Sequence, residues 1–263
     1  MKNKESVFRK RKITYTAVLV SILALYMVSS LITEFKLSEG IMAFPEAVTW
    51  ITTTLVPDAK AFERVPKIWN KLMETALLSV AVTTIAAVMA FIFSLFGSRT
   101  LKFHRLINQI VRTVAAFFRN VPDVVWAMLL MFSFGQNILT GFFALFFTTF
   151  GLLTRSFIET IDEVSSDCVE ALDATGADFA QIVFQGIIPS SITGITTWIL
   201  YMIETNIRSS TLIGILTATG IGYLFDMYYK RLEFGSASLV VLSIVVLVII
   251  IETISNQLRK VIT

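Results

Sequence analysis

The chain has 263 residues, 55% of them hydrophobic and 16% charged, and a mean hydropathy of +0.75. A soluble domain spreads charge along most of its helices, whereas here the charges are bunched between long stretches that have none. That suits a chain solvated by lipid, where a central charge costs roughly 2.5–3.5 kcal/mol. The net charge of +3 is too small to suggest nucleic acid, the single Cys168 excludes an intrachain disulfide, and the single His104 has no partners for a metal site.

The sequence opens with Lys2, Lys4, Arg9, Lys10, Arg11 and Lys12 against Glu5, and the apolar run Ile13–Ile32 has the length of a span. It lacks a clear small-residue cleavage pattern, so it reads as an anchor helix rather than a signal peptide. Residues 33–71 balance Lys36, Lys60, Arg64, Lys67 and Lys71 against Glu34, Glu39, Glu46, Asp58 and Glu63, and read as an external loop. The second span is Leu72–Phe96, with Glu74 in its first turn and Arg99 after it. Arg99, Lys102, Arg105, Arg112 and Arg119 then follow with no acid until Asp123, which marks a cytoplasmic segment.

No charge lies between Asp123 and Arg155, too long a gap for one crossing. Gly135-Gln136-Asn137 supplies a turn, so two short crossings are expected, about Val121–Phe134 and Ile138–Thr154. The next uncharged run, Phe179–Ile203, contains Pro189. A proline removes a backbone donor and restricts the residue before it, so a helix is expected to start there, giving a fifth span at about Ser190–Ile203. The last span is Gly235–Ile251, with Arg259 and Lys260 beyond it. The expected class is therefore all-α: a polytopic transmembrane bundle of about six spans, with both termini cytoplasmic. Its parts are a basic N-terminus (1–12), a first transmembrane helix (13–32), an external loop (33–71) and a transmembrane domain (72–263) with a cytoplasmic loop at about 155–190.

That loop contains Glu170-Ala171-Leu172-Asp173-Ala174-Thr175-Gly176, with Pro189 thirteen residues beyond Gly176. Ile158, Ile161 and Val164 continue a helix out of the membrane. Ser165-Ser166-Asp167 is suited to cap a short helix from Cys168 to about Thr175. Gly176 permits a left-handed turn. Ala177-Asp178 then starts a second short helix, with Phe179, Ile182 and Val183 on one face. Two short helices joined at a glycine make a compact knob; an ordinary solvated loop is the competing reading.

This pattern resembles the Glu-Ala-Ala loop of ABC importer permeases, in which a glycine and a later Ile-x-Leu-Pro follow the acidic start. Glu170, Ala171, Gly176 and Pro189 match; Leu172 replaces the second alanine, Gly186 the isoleucine and Ile188 the leucine. The resemblance implies a type I ABC importer permease fold, with the loop as the element that inserts into a groove of a cytoplasmic ATPase subunit. This chain has no GxxxxGK[ST] phosphate loop, so ATP and Mg are expected on a separate ATPase chain and no cofactor on this one.

After the fifth predicted span come Glu204-Thr205-Asn206-Ile207-Arg208-Ser209-Ser210 and the uncharged, glycine-interrupted stretch Thr211–Phe225. Irregular backbone at membrane depth is tolerated only inside protein or beside a water-filled cavity, so charges next to it are functional candidates; an interfacial cluster is the alternative. Arg208 offers a fork of donors suited to a tetrahedral oxyanion, and Glu204 is placed to neutralise it in the absence of ligand. Glu204 to Ser209 with Gly214 and Gly220-Ile221-Gly222, and Arg119-Asn120-Val121-Pro122-Asp123-Val124-Val125-Trp126, are similar to the phosphonate branch of these permeases. The likeness covers about residues 70–260, and Thr217 and Thr219 depart from the branch's glycines.

By that resemblance Glu204, Asn206, Arg208, Ser209 and Arg119 are candidates for the substrate path. Arg112 and Arg119 are more simply explained as positive-inside residues that orient the chain. The phenylalanines Phe117, Phe118, Phe142, Phe143, Phe146 and Phe147 read as lipid-facing or packing residues, and Trp50, Trp69 and Trp126 as interfacial anchors. The implied partners are a second permease copy, two ATP-binding subunits, an extracytoplasmic substrate-binding protein and membrane lipid. Two other readings stay open: a methionine-type amino-acid importer, and an ion-coupled secondary carrier. The second is opposed by the lack of a convincing repeat and of acids within the cores of the predicted spans. No nucleophile–base constellation suggests an enzyme.

Overall fold

The computed structural model describes residues 2–101, 104–164 and 166–262, with side chains described at 8, 10–101, 104–164 and 167–261. The Ser165 cap, and the charges of Lys2, Lys4, Glu5, Arg9 and Lys102, lie outside the described residues. The chain divides into two units, Met1–Thr54 and Leu55–Thr263.

The first unit holds α1 (Lys2–Thr33) and α2 (Leu37–Thr54), joined by a turn in which Glu34 adopts a φ of +54°. From Lys10 to Thr33 α1 is apolar and none of it is buried, the signature of a helix that needs lipid around it. The external loop expected at 33–71 is largely helical instead. Balanced charge reports the side of the membrane and says nothing of backbone structure, so the helical content escaped that reading.

The second unit begins with the single turn α3 (Ala59–Phe62), whose N-terminus is capped by Asp58 through the Ala61 N–H at 2.9 Å. Next comes α4 (Val65–Gly97), which starts seven residues before the expected Leu72 because Pro66 occupies its first turn, where no amide partner is needed. The pair α5 (Arg105–Asn120) and α6 (Asp123–Phe134) is bent by 88° at Val121-Pro122, since a proline cannot continue the preceding helix. Twelve residues rise only about 18 Å, so α6 alone falls short of the ~30 Å hydrocarbon core and the crossing expected at 121–134 involves the bent pair. Gly135, at a φ of +72°, ends α6, and Asn137 caps α7 (Ile138–Val164) by accepting from the Thr140 N–H at 2.9 Å.

After α7 come α8 (Ser166–Ala174), the short α9 (Phe179–Gln181), a π-helical turn (Ile182–Ile187) and α10 (Ile188–Thr217). Pro189 does not begin a new span. Phe179–Thr217 is one helical run of 39 residues. The π turn lengthens the bonding register just before the proline, so that the Ile188 N–H reaches back to the Val183 carbonyl. Two serine hydroxyls take up carbonyls beside it: Ser190 donates to Gly186 O at 2.8 Å and Ser191 to Ile187 O at 2.6 Å. Such repairs are what let proline persist inside a membrane helix. The remaining elements are α11 (Gly220–Lys230) and α12 (Phe234–Ile262).

Among the described residues five helices are long and apolar enough to cross a membrane, or six when the bent pair counts as one span. The centre of the unit is α7, packed against α4, α5, α6 and α10. Its aromatic side is a stack: Phe118 and Phe147 lie 5.0 Å apart, and Trp126 lies 4.8 Å from Phe147. Trp126 is thus a packing residue rather than the expected interfacial anchor.

Polar side chains fasten the bundle from within. Asn206 is 3% exposed; its amide donates to Thr83 Oγ1 at 2.8 Å and to Thr149 Oγ1 at 2.9 Å, linking α10 to α4 and α7. One turn further along, the Ser79 and Ser210 hydroxyls meet at 3.1 Å. The stretch Thr211–Phe225 breaks only at Ala218 and Thr219, where Ala218 has a φ of +56°. Here α11 folds back against the last turns of α10 so closely that a Cβ on Gly222 would overlap the Thr211 carbonyl oxygen. The free amides at the start of α11 are met from α4: Gly220 N–H donates to Glu74 at 3.1 Å and Ile221 N–H to Thr75 Oγ1 at 2.8 Å. Glu74 therefore serves a neighbouring helix end, with its negative charge at the positive pole of α11. At the far end of α11, Arg64 pairs with Glu233 over the Tyr228 ring, and the Glu233 hydrogen bond raises the guanidinium pKa above its ordinary value.

Candidate functional site

Two places carry the residues singled out by sequence: the knob at 166–187 and the middle of α10. In the knob, α8 ends in a Schellman motif. Gly176, at a φ of +81°, donates to Asp173 O at 3.0 Å, and Ala177 N–H reaches Leu172 O at 3.2 Å. The space around a Cβ at 176 is open, so the demand for glycine comes from the backbone dihedral and not from a neighbour. Asp178 and Gln181 then close a reciprocal capping box at 2.7 and 2.9 Å that starts α9.

The knob has its own core of Val169, Ile182, Val183 and Ile187, continuous with Ile161 of α7. The expected apolar face of Phe179, Ile182 and Val183 is divided: Ile182 and Val183 are buried, while Phe179 is exposed on the other side, together with Phe184. Phe179 stands in the first turn of α9, ahead of the π turn, at the edge of the knob rather than over its core. Glu170 and Ala171 are exposed on α8. Pro189 is exposed at the start of α10, where the knob rejoins the bundle.

Leu172 and Gly186, two of the three departures from the motif, come together across the knob. A Cβ on Gly186 would lie 2.9 Å from Leu172 Cδ1. The larger residue on α8 fills the room left by the smaller one in the π turn, so the two substitutions compensate in volume.

The last turn of α7, from which the knob departs, is anchored to the rest of the bundle by Asp162, which sequence reasoning did not single out. Its Oδ1 accepts from Ser98 Oγ at 2.6 Å and from the Arg99 N–H at 2.8 Å, with Thr100 close by, and its Oδ2 accepts from Arg112 at 2.7 Å. Arg112 also donates to Gly97 O at 3.0 Å and to Asn108 Oδ1 at 3.0 Å. One carboxylate thus ties the turn after α4, the middle of α5 and the last turn of α7 together, through charge-assisted bonds of the stronger kind. Arg112 is committed to this junction. The available signal was Asp162 itself, an acid one turn before the loop and opposite a run of arginines.

In α10 the four adjacent candidates separate. Arg208 donates to Glu204 Oε1 at 2.9 Å, one turn apart, with the Glu204 side chain 14% exposed and that of Arg208 52% exposed. The pair lies inside a continuous helix, because the helix runs on through Pro189 to Thr217. Asn206 points the opposite way, into the α4–α7 seam, and is a structural tie. Ser209 is half-buried beside Arg208. Arg119 is exposed at the end of α5, and among the described residues no hydrogen bond or ion pair joins it to Glu204 or Arg208. Among the described residues no group of three or more His, Cys, Asp or Glu is placed to hold a metal. What the arrangement offers is an open guanidinium, oriented by a carboxylate, on an otherwise uncharged helix.

Comparison with known proteins places this geometry. The phosphite transport system permease protein of Stutzerimonas stutzeri is 26% identical over 217 residues, 82% of this chain and 78% of that protein. The phosphate-import permease protein of Mycolicibacterium smegmatis is 26% identical over 189 residues, 72% of this chain and 36% of that protein. The crystal structure of an amino acid ABC transporter superposes with a TM-score of 0.64 at 16% identity, over 76% of this chain and 95% of that one. That likeness speaks to fold, which is the type I ABC importer permease bundle. The family model for binding-protein-dependent transport system inner membrane components matches residues 91–263, a stretch that takes in the Asp162 junction, the knob and the α10 ion pair, and this chain belongs to that family.

Proposed function

We propose that the chain is one half of the membrane path of an ATP-driven importer for phosphonate or related phosphorus oxyanions such as phosphite and phosphate esters. The observation that carries the reading is Arg208: a half-exposed guanidinium on α10, paired with Glu204, within a helix apolar enough to span a membrane. A charge in such a place is costly unless it is used, and its planar fork suits a tetrahedral oxyanion. The similarity to permeases named for phosphite and phosphate supports the same class of cargo.

In this reading a second copy faces the open side of α10 and completes the path. Each knob enters an ATP-binding subunit that supplies the ATP and Mg, and an extracytoplasmic binding protein delivers the cargo. Glu170, Ala171 and Gly176 belong to the docking element, with Pro189 at its junction to α10. Residues 1–12 and the C-terminus are cytoplasmic, and the segment between α1 and α4 is external. Only different contacts of the ATPase with inward-open and outward-open states can drive the cycle.

The experiment is uptake into proteoliposomes holding the permease, the ATPase and the binding protein. Arg208→Ala is expected to lower phosphonate uptake at least about tenfold, the worth of one charge-assisted contact, while the complex still assembles. Wild-type uptake by this variant removes Arg208 from the path. Uptake of an amino acid in place of phosphonate moves the chain to the methionine-type alternative, and uptake without ATPase or ATP to the secondary carriers.

A further inference from the structure

Beside the Asp162 junction, α5 and the turn after α4 enclose an open cleft of about 780 Å³. Arg99, Arg105 and Arg112 line it, with Asn108, Gln109 and Thr113 as further hydrogen-bonding groups and no acid among the lining residues. Arg112 is fixed in place by Asp162. The side chains of Arg99 and Arg105 are exposed and form no ion pair among the described residues. Orienting the chain in a membrane requires arginines on this side; it does not require them to converge on one cavity.

The surface of α5 falls into three strips. Val111 and Ala115 are buried against the bundle. Arg105, Asn108 and Arg112, three and four residues apart, face the cleft. Leu106, Ile110 and Phe117 form an exposed apolar strip that borders the polar one. A polar strip rich in arginine beside an exposed apolar strip describes a helix lying at a membrane boundary. A helix lying so would open the cleft where hydrocarbon and headgroups meet.

We propose that this cleft binds a phosphate oxyanion, with Arg99 and Arg105 closing on it and Arg112 holding its floor. Two sources share that chemistry, the headgroup of an anionic phospholipid and a free phosphate-class anion. The apolar strip of Leu106, Ile110 and Phe117 favours the lipid, since acyl chains would lie along it while the headgroup enters the cleft. A ligand there would brace α5 against α4 and α7 next to the anchor of the knob.

The test uses the purified full chain in detergent. Retention of phosphatidylglycerol and of phosphatidylcholine is read by native mass spectrometry, and inorganic phosphate binding by equilibrium dialysis. Arg99→Gln and Arg105→Gln are each expected to lower phosphatidylglycerol retention about fivefold, and about 25-fold together, with phosphatidylcholine unchanged. Arg231→Gln, at an exposed arginine outside the cleft, controls for a general loss of charge, and the single variants serve if the double variant does not fold. Loss of inorganic phosphate binding in the same variants, with lipid retention unaltered, supports the cleft with the free anion as its source. Unchanged binding of both ligands in the single variants overturns the proposal.

Discussion

The knob and the helical body use polar residues in opposite ways. In the knob, buried Val169, Ile182, Val183 and Ile187 hold the fold, and the motif residues Glu170 and Ala171 are left exposed. In the body, the polar residues Asn206, Thr83, Thr149, Ser79 and Ser210 are buried and join helices whose outer surfaces are apolar. The solvent explains the inversion. Where water surrounds a segment, burying apolar area drives folding and polar groups are free for recognition. Where lipid surrounds it, apolar contact between helices gains little over contact with lipid, and interhelical hydrogen bonds with close packing take over. Polarity alone therefore does not mark function in this chain. Exposure separates the candidates: Arg208 is open to a ligand, and Asn206 is not.

The largest effect expected from breaking this comparison is at the junction of the two regions. Asp162→Ala leaves Arg112 and the amides of residues 99 and 100 without their acceptor, a loss of about 3 kcal/mol. It should lower the thermal midpoint in detergent more than any other substitution named here, and a midpoint equal to wild type would deny the junction its role. Next is Gly186→Ile, which overpacks the knob against Leu172 by about 2 kcal/mol. Adding Leu172→Ala should recover most of that. A double variant as unstable as the sum of the two singles would show that the pair does not share one volume.

Gly176→Val forces a β-branched residue into a left-handed backbone at a cost of about 1–2 kcal/mol. The body should stay folded while ATP-dependent uptake falls below a tenth of wild type, and normal uptake would remove the glycine turn from coupling. The smallest effect is Asn206→Leu, about 1 kcal/mol, because hydrogen bonds between membrane helices are individually modest. Its midpoint should fall slightly with transport largely kept; abolished transport at an unchanged midpoint would return Asn206 to the path.

The turn at Gly176, the capped start at Asp178 and the break at Gly135 were legible because each rests on a local demand that few residue types meet. Pro189 misled because its local rule was overridden by two serine hydroxyls and a π turn, which only the packed helix assembles. Phe179 misled because periodicity assigns a face but not how far the core extends along it, and the knob's core ends short of the first turn of α9. Leu172 and Gly186 looked like two separate weakenings of one motif, and contact across the knob turns them into a complementary pair.

By itself the sequence determined that the chain is helical and apolar, with a basic stretch after its second span and a glycine-hinged loop before Pro189. Composition, charge placement and single-residue backbone preferences are properties of the chain before it folds. Tertiary structure decided which polar residues are glue and which are open: Asp162 with Arg112, Glu74 with the start of α11, Asn206 in the seam and Arg208 outside it. Those assignments depend on distances between helices far apart in sequence, and no local pattern encodes them.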